Sequence, residues 1–449
     1  MPIPSLDELT TGWLCRRRGR PAAMPGLTHE CGSIQAEADL CAVKHPVFPP
    51  YSASGETTGQ ALIGNRLLCQ LAPDVELRWR AYAIERRCAW DGWEFTSETR
   101  LLPDAPGLAV QWRVRNAGPR RRRLDFGLLF SGRGRNSGAS GYAWAVPEVP
   151  TDVTQMRARI GLNPKVTPGR LPGSLLFCAR GEPACSLQAV SPAPNLAVEE
   201  GRASWSPLLS PGEEWHGTLL CTYGISPAAV TALATRWAGR ISEAFAATQC
   251  RWDELWAAAF TPESRHFSGH LPRLESSNPA ISRLYYFGAL TLLCLRRRYP
   301  DAGLRPAYLT LAPRRGEGSI YLAWDLPYLA PVLARLDPAA LAAHWQALCS
   351  APLFSHMTLN LFSGEHLSFP CVADPLARVA PVAELSRQER LGDLLTRRIV
   401  RSGRPVLRLQ PDGTAVYGPD RKRLMTGKAA FVEAATAHRR FALGRTGLI

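Results

Sequence analysis

Trp324 and Asp325, in the stretch "GSIYLAWDLPYLAPVLARLDP", set an indole beside a carboxylate between a β-like run and an apolar segment studded with prolines. Two roles compete for the carboxylate. Asp325 caps the helix that begins near Leu326, where Leu326, Leu329, Val332, Leu333 and Leu336 form an apolar stripe. Alternatively it sits at the rim of a pocket, where the indole face stacks on apolar C–H groups and the acid accepts hydrogen bonds from hydroxyls. Pro331 falls about where such a helix would need an amide donor, which predicts an irregular first turn.

A second cluster, Glu365 and His366 in "NLFSGEHLSFPCVADP", sits in a Gly- and Pro-containing stretch ahead of an expected helix. It reads as an ordinary surface loop or as a pair of hydrogen-bonding groups. His266 and His270 in "HFSGH" have helical ligand spacing, but Gly269 and Pro272 spoil a helix and no third ligand is evident, so no metal and no cofactor are expected. The glycine-rich "SGRGRNSGASGY" lacks a strand-to-helix context and reads as a mobile sandwich loop, not a phosphate cradle. No Gly-x-Ser-x-Gly elbow is present, so a serine hydrolase is not indicated.

The elements that must position these residues change character along the chain. From about residue 30 to 222 the pattern is strand-like: Val75, Leu77 and Trp79 alternate with Glu76, Arg78 and Arg80, and Leu108, Val110, Trp112 and Val114 alternate with Ala109, Gln111, Arg113 and Arg115. One face packs and the other meets water, as in an antiparallel sandwich. From Ser226, a cap candidate before Pro227, the residues Val230, Leu233, Trp237, Ile241, Ala244, Trp252 and Leu255 form one stripe, with Thr248 its only polar member. This predicts one long helix or two in tandem. "SSNPAISRLYYFGALTLLCLRRRYP" follows as a helix capped by Asn278, apolar on nearly every face and therefore buried, with Arg296 to Arg298 at the end favoured by the dipole. "LDPAALAAHWQALCS", started by Asp337 and Pro338, "SRQERLGDLLTRRIV" and "GKAAFVEAATAHRRFAL" are further helix candidates.

Composition sets the frame. At 449 residues, 46% hydrophobic and 20% charged, the chain has room for two or three folded domains. The formal charge of +15 suggests phosphate contacts, yet only four basic residues are Lys (Lys44, Lys165, Lys422, Lys428) and the arginines are scattered. The dense run Arg120 to Arg123 follows a turn and reads as a solvated hairpin end. No nucleic-acid partner is expected. Twelve widely spaced cysteines without a CxxC pair argue against a disulfide cage and a structural zinc site. No apolar run approaches the ~20 residues a membrane span needs, and the N-terminus lacks a signal-peptide core, so a cytoplasmic setting without a membrane partner is expected.

Together, the sandwich, the linker helix, "HLPRLESSNPAISRLYYFGALTLLCLRRRYP" and "RRGEGSIYLAWDLPYLAPVLARLDPAALAAHW" resemble the six-hairpin glycosidases, especially the trehalase-like and glycoside hydrolase family 63 group. Motif support covers roughly residues 260 to 375. The resemblance implies an antiparallel β-sandwich (1–222), a helical linker (223–260) and part of an (α/α)6 toroid (261–449). It implies a carbohydrate ligand held by Trp324 and Asp325 in the subsite for a terminal sugar, with Glu365 and His366 in a sugar-contacting loop. A disaccharide phosphorylase and a non-catalytic carbohydrate-binding protein are the rival readings. About 190 residues follow the linker, which with loops and ~11 to 12 residues per helix leaves room for about six or seven helices, half of a twelve-helix toroid. The expectation is a partial homologue without the full catalytic carboxylate pair, ending on the apolar "FALGRTGLI".

Overall fold

The computed structural model describes residues 2–9, 12–17, 26–53, 56–72, 74–136, 164–299, 306–309, 320–322, 326–350, 356–360, 366–368, 407–409, 415–417 and 422–425. Antiparallel sheets dominate, joined by a few helices. The largest sheet has nine strands in the order Leu14–Arg17, Asp74–Trp79, Ile84–Trp90, Trp93–Leu101, Gly107–Asn116, Glu214–Gly224, Cys185–Ser191, Ser174–Cys178 and Lys165–Pro168. A six-stranded sheet built around Gly32–Ala36 and Val43–Phe48, and a five-stranded sheet built around Phe126–Leu129 and Gln60–Ile63, pack on it.

The alternation read from the sequence explains this packing. Leu108, Val110, Trp112 and Val114 all point into the core with Ile34, Ala61, Phe126 and Leu219. The outer face departs from the expectation that it meets only water. Ala109 is completely buried there, because Val230, Ala234, Trp237, Ile241, Ala244 and Phe245 cover this end of the sheet. Further along the same strand Arg113 and Arg115 are exposed, as expected.

After a single turn, α1 (Leu68–Leu71), the helices among the described residues are α2 (Pro227–Trp237), α3 (Ile241–Ala259), α4 (Pro279–Leu295), α5 (Leu326–Leu336) and α6 (Pro338–Ser350). The long stripe is thus two helices. Gly239, at φ +75°, takes the left-handed conformation that ends α2, and no atom lies within 4 Å of a Cβ placed there. Pro227 occupies the first turn, but Ser226 makes no side-chain cap bond. Thr248 is buried because its hydroxyl donates to the Leu101 carbonyl at 2.8 Å and the Ala244 carbonyl at 2.9 Å.

Three further expectations are corrected. Helix α4 is capped by Asn278, whose side chain accepts from the Ala280 amide at 2.9 Å, yet it is not buried all round: Ile281 and Leu284 are 51% and 76% exposed. Helix α5 runs unbroken through Pro331, and Ala330 joins Leu333 and Leu336 in the core while Val332 faces outward. The glycine-rich stretch, as far as Asn136, is built into the sandwich. Arg135–Asn136 pairs with Tyr51–Ser52, and a Cβ on Gly132 would lie 2.0 Å from Phe177 Cγ. Strands also recur beyond the helices, at His356–Asn360, His366–Ser368, Leu407–Leu409, Ala415–Tyr417 and Lys422–Met425. The last two helix candidates of the sequence lie outside the described residues.

Candidate functional site

Trp324, Asp325 and Glu365 lie outside the described residues, and of His366 only the backbone is described. The elements flanking them form one small sheet. Strand Ile320–Leu322, which leads toward Trp324, pairs antiparallel with His356–Asn360, and that strand pairs with His366–Ser368, which begins directly after Glu365. Tyr321 and His366 are both register partners of Leu359. Two motifs some forty residues apart in sequence therefore have their flanks on one central strand. Helix α5 starts at Leu326, the residue after Asp325.

The body of α5 is held from below. Ala330, Leu333 and Leu336 enter a core with Phe267, Leu271, Leu290, Leu293 and Tyr308. Gly269 approaches so closely that a Cβ there would lie 2.1 Å from the Arg335 carbonyl oxygen, and its amide donates to the Leu336 carbonyl at 3.0 Å. Between α5 and α6 stands Asp337. Its carboxylate accepts from the Ser268 hydroxyl (2.8 Å), the Tyr308 hydroxyl (3.1 Å) and the Ala340 amide (3.4 Å). The same Ser268 hydroxyl accepts from the Ala339 amide at 2.9 Å, completing the α6 cap. Burial together with the neighbouring Asp337 holds the Tyr308 phenol well above its ordinary range, so it remains a donor. His344 Nε2 accepts from the Tyr308 amide at 3.1 Å, and burial pushes its pKa down to about 3.

Arg296 to Arg298 do not extend α4 as exposed dipole partners. The helix ends at Leu295, and Arg296 and Arg297 form a short strand against Ala307–Tyr308, where they are 2% and 3% exposed. Arg296 pairs with Glu30, from the tip of the hairpin Gly26–Ala36, donates to the His266 carbonyl at 2.9 Å and lies 4.9 Å from the Phe267 ring centre. The Arg298 amide donates to the Glu30 carbonyl at 2.8 Å. Glu30 thus fastens the sheets to the helices that carry the candidate site. Nothing in the sequence marks Glu30, which lies 266 residues from Arg296.

The outer face of the nine-stranded sheet carries two open grooves of about 770 and 550 Å³. Four of their carboxylates, Glu76, Glu85, Glu94 and Glu98, are each paired with an arginine: Arg87, Arg78 and Arg80, Arg115, and Arg100. The half-buried Trp13 lies over Arg87 and Arg78, at 4.2 and 5.0 Å. Arg122 pairs with Asp91 and lies over Trp93, so the arginine run is tied down at that point while Arg120, Arg121 and Arg123 are exposed. His266 and His270 share no ligand geometry. His266 lies 4.0 Å from Glu254, burial lowers its pKa, and His270 points to solvent. Among the described residues no three His, Cys, Asp or Glu side chains group as a metal site, and no described helix is long and apolar enough to cross a membrane.

No protein-family model matches the chain, and no curated protein matches it in sequence. Solved structures do. A candidate kojibiose phosphorylase from the human microbiome superposes with a TM-score of 0.55 at 8% identity, over 97% of this chain and 68% of that one. A bacterial glucoamylase complexed with acarbose gives 0.49 at 9% identity, over 88% and 62%. A family GH92 inverting mannosidase from Bacteroides thetaiotaomicron gives 0.39 at 9%, over 82% and 52%. At such identities the first likeness is one of fold alone: this chain and the candidate phosphorylase share an overall fold.

Proposed function

We propose that this chain is a carbohydrate-active protein of the six-hairpin glycosidase type, close to the trehalase-like and family 63 group, which binds an oligosaccharide or glucoside. Its helical part would form a portion of an (α/α)6 toroid, with Trp324 and Asp325 in the terminal-sugar subsite and Glu365 and His366 on the adjoining loop. The fold likeness to the candidate kojibiose phosphorylase carries this reading. The small sheet that shares Leu359 between the two flanks supports the grouping of the four residues.

An inverting mechanism needs one carboxylic acid and one carboxylate base about 6.5–9.5 Å apart across the sugar. The match spans 68% of the phosphorylase chain, and the proposal is that this polypeptide alone binds sugar without cleaving it. Isothermal titration with a panel of gluco-oligosaccharides, run beside a reducing-sugar assay, tests both parts. Binding without turnover is expected. Asp325→Asn still caps a helix but loses the charged acceptor, so it should keep the melting temperature and weaken sugar binding about tenfold or more. Asp325→Ala should lose both. If Asn binds sugar as well as Asp does, the subsite role of Asp325 is wrong. Phosphorolysis is a second reading, favoured by the nature of the matched structure. Disaccharide turnover that appears only with inorganic phosphate would establish it.

A further inference from the structure

Cys178 and Cys185 close the hairpin that joins strands Ser174–Cys178 and Cys185–Ser191, and they are direct register partners. The Cys185 thiol donates to Cys178 Sγ at 3.3 Å, and both are free thiols. The next pair outward is hydrogen-bonded, Ala179 amide to Ala184 carbonyl at 2.8 Å. In an antiparallel ladder this makes 178/185 a non-hydrogen-bonded position, where Cα atoms stand about 4.5 Å apart. That spacing lies inside the ~4.4–6.8 Å range a disulfide requires, so the bond needs no backbone movement. Cys178 is partly buried and the more accessible of the two, whereas Cys185 is buried under α2 with Leu187, Val230 and Ala234.

We propose that Cys178 and Cys185 are a reversible oxidation site: a hydroperoxide converts the two thiols to a disulfide across the two adjacent strands, which pins the end of Cys185–Ser191, the strand on which α2 docks. The more accessible Cys178 reacts first. Its thiolate attacks the peroxide, the O–O bond breaks, and an alcohol leaves as the sulfur becomes a sulfenic acid. Cys185 then attacks that sulfur, the S–O bond breaks, and water leaves with the Cys185 proton. Two thiols and one hydroperoxide give one disulfide, one alcohol and one water, with two electrons passing from sulfur to peroxide. Burial and the neighbouring Cys178 hold the Cys185 thiol up to about 12, which fits it to the second, intramolecular step. A dithiol reverses the change by exchange.

Trypsin cuts between the two cysteines, after Arg180, so the linkage is read directly. The purified full chain is treated with tert-butyl hydroperoxide, alkylated and digested without reduction. Peptides Leu171–Arg180 and Gly181–Arg202 should pass from separate alkylated species to mainly one linked pair, lighter by two hydrogens than the sum of the two free-thiol peptides, and dithiothreitol should separate them. Cys185→Ser should give no linked pair and should leave Cys178 as sulfenic and sulfinic acid. Cys178→Ser should leave Cys185 alkylatable. The proposal is overturned if the treated wild-type chain still yields both cysteines separately alkylated, or if Cys178 is over-oxidised without forming the link. The wild-type digest decides the matter even if a variant fails to fold.

Discussion

Arg296 is a full guanidinium with 2% of its surface exposed, held by Glu30, the His266 carbonyl and the Phe267 ring. Removing one partner of a buried ion pair costs about 3–5 kcal/mol when the other charge is left unpaired; Glu30 keeps Arg251 at 3.4 Å, which puts the cost here at the lower end, about 3 kcal/mol. Arg296→Ala should therefore lower unfolding free energy by about that amount in a urea titration, and the double change Glu30→Gln with Arg296→Met should recover part of it. His344 supplies a pH signature. Burial holds its folded pKa at about 3, against ~6.5 in an unfolded chain. Between those values the unfolded state binds the proton and the folded state does not. Stability is then complete above pH ~6.5 and falls as pH drops toward 3, by about 1.4 kcal/mol per pH unit at most. A melting-temperature series should show this slope, and His344→Gln should flatten it. Neither residue was legible as a core residue in the sequence. Arginine triplets read as surface, and a distant glutamate carries no local sign of its partner.

Elements were more legible than their ends and neighbours. Alternation placed the strands because one face of each is uniformly apolar, and Leu108 to Val114 needed no other information. The cover over Ala109 was hidden, because alanine serves equally on a wet face and a dry one. The stripe from Val230 to Leu255 was visible as helical, but the sequence left its continuity open. Gly239 decides it, since positive φ is available to glycine at little cost. Gly239→Ala meets no steric neighbour, so its effect is purely a backbone one. It should destabilise by about 1–2 kcal/mol, measured as a lower denaturation midpoint with an unchanged slope. For the candidate site, the Trp-Asp pair and the start of α5 were readable locally. The sheet that joins its flank to His366 was not, because strands of three to five residues with irregular register lack a pattern long enough to detect.

Across the whole molecule the sheets and helices share a core. Ala81, Tyr82 and Ala83, from the turn between two strands of the large sheet, pack with Trp252, Trp256 and Phe260 of the helical part, and Leu6 and Leu9 join them. The Pro4 carbonyl accepts the Trp256 indole N–H at 2.8 Å. Deleting residues 2–9 removes two buried leucines, worth about 1.5–3 kcal/mol each, and leaves that indole donor unpaired. The deletion should lower stability by roughly 3–6 kcal/mol, and tryptophan fluorescence should follow the loss in a urea titration.

The Pro4 to Trp256 contact also orders events on the ribosome. Its two ends are 252 residues apart, and at synthesis rates of ~5–20 residues per second the first waits roughly 13–50 s for the second. During that interval Leu6 and Leu9 have no core to enter. The segment Leu14–Arg17 meets its partner strand Asp74–Trp79 much sooner, so the growing chain can set its sheet edge first. The apolar residues ahead of that edge settle later, and stay open to proteases and chaperones until α3 emerges.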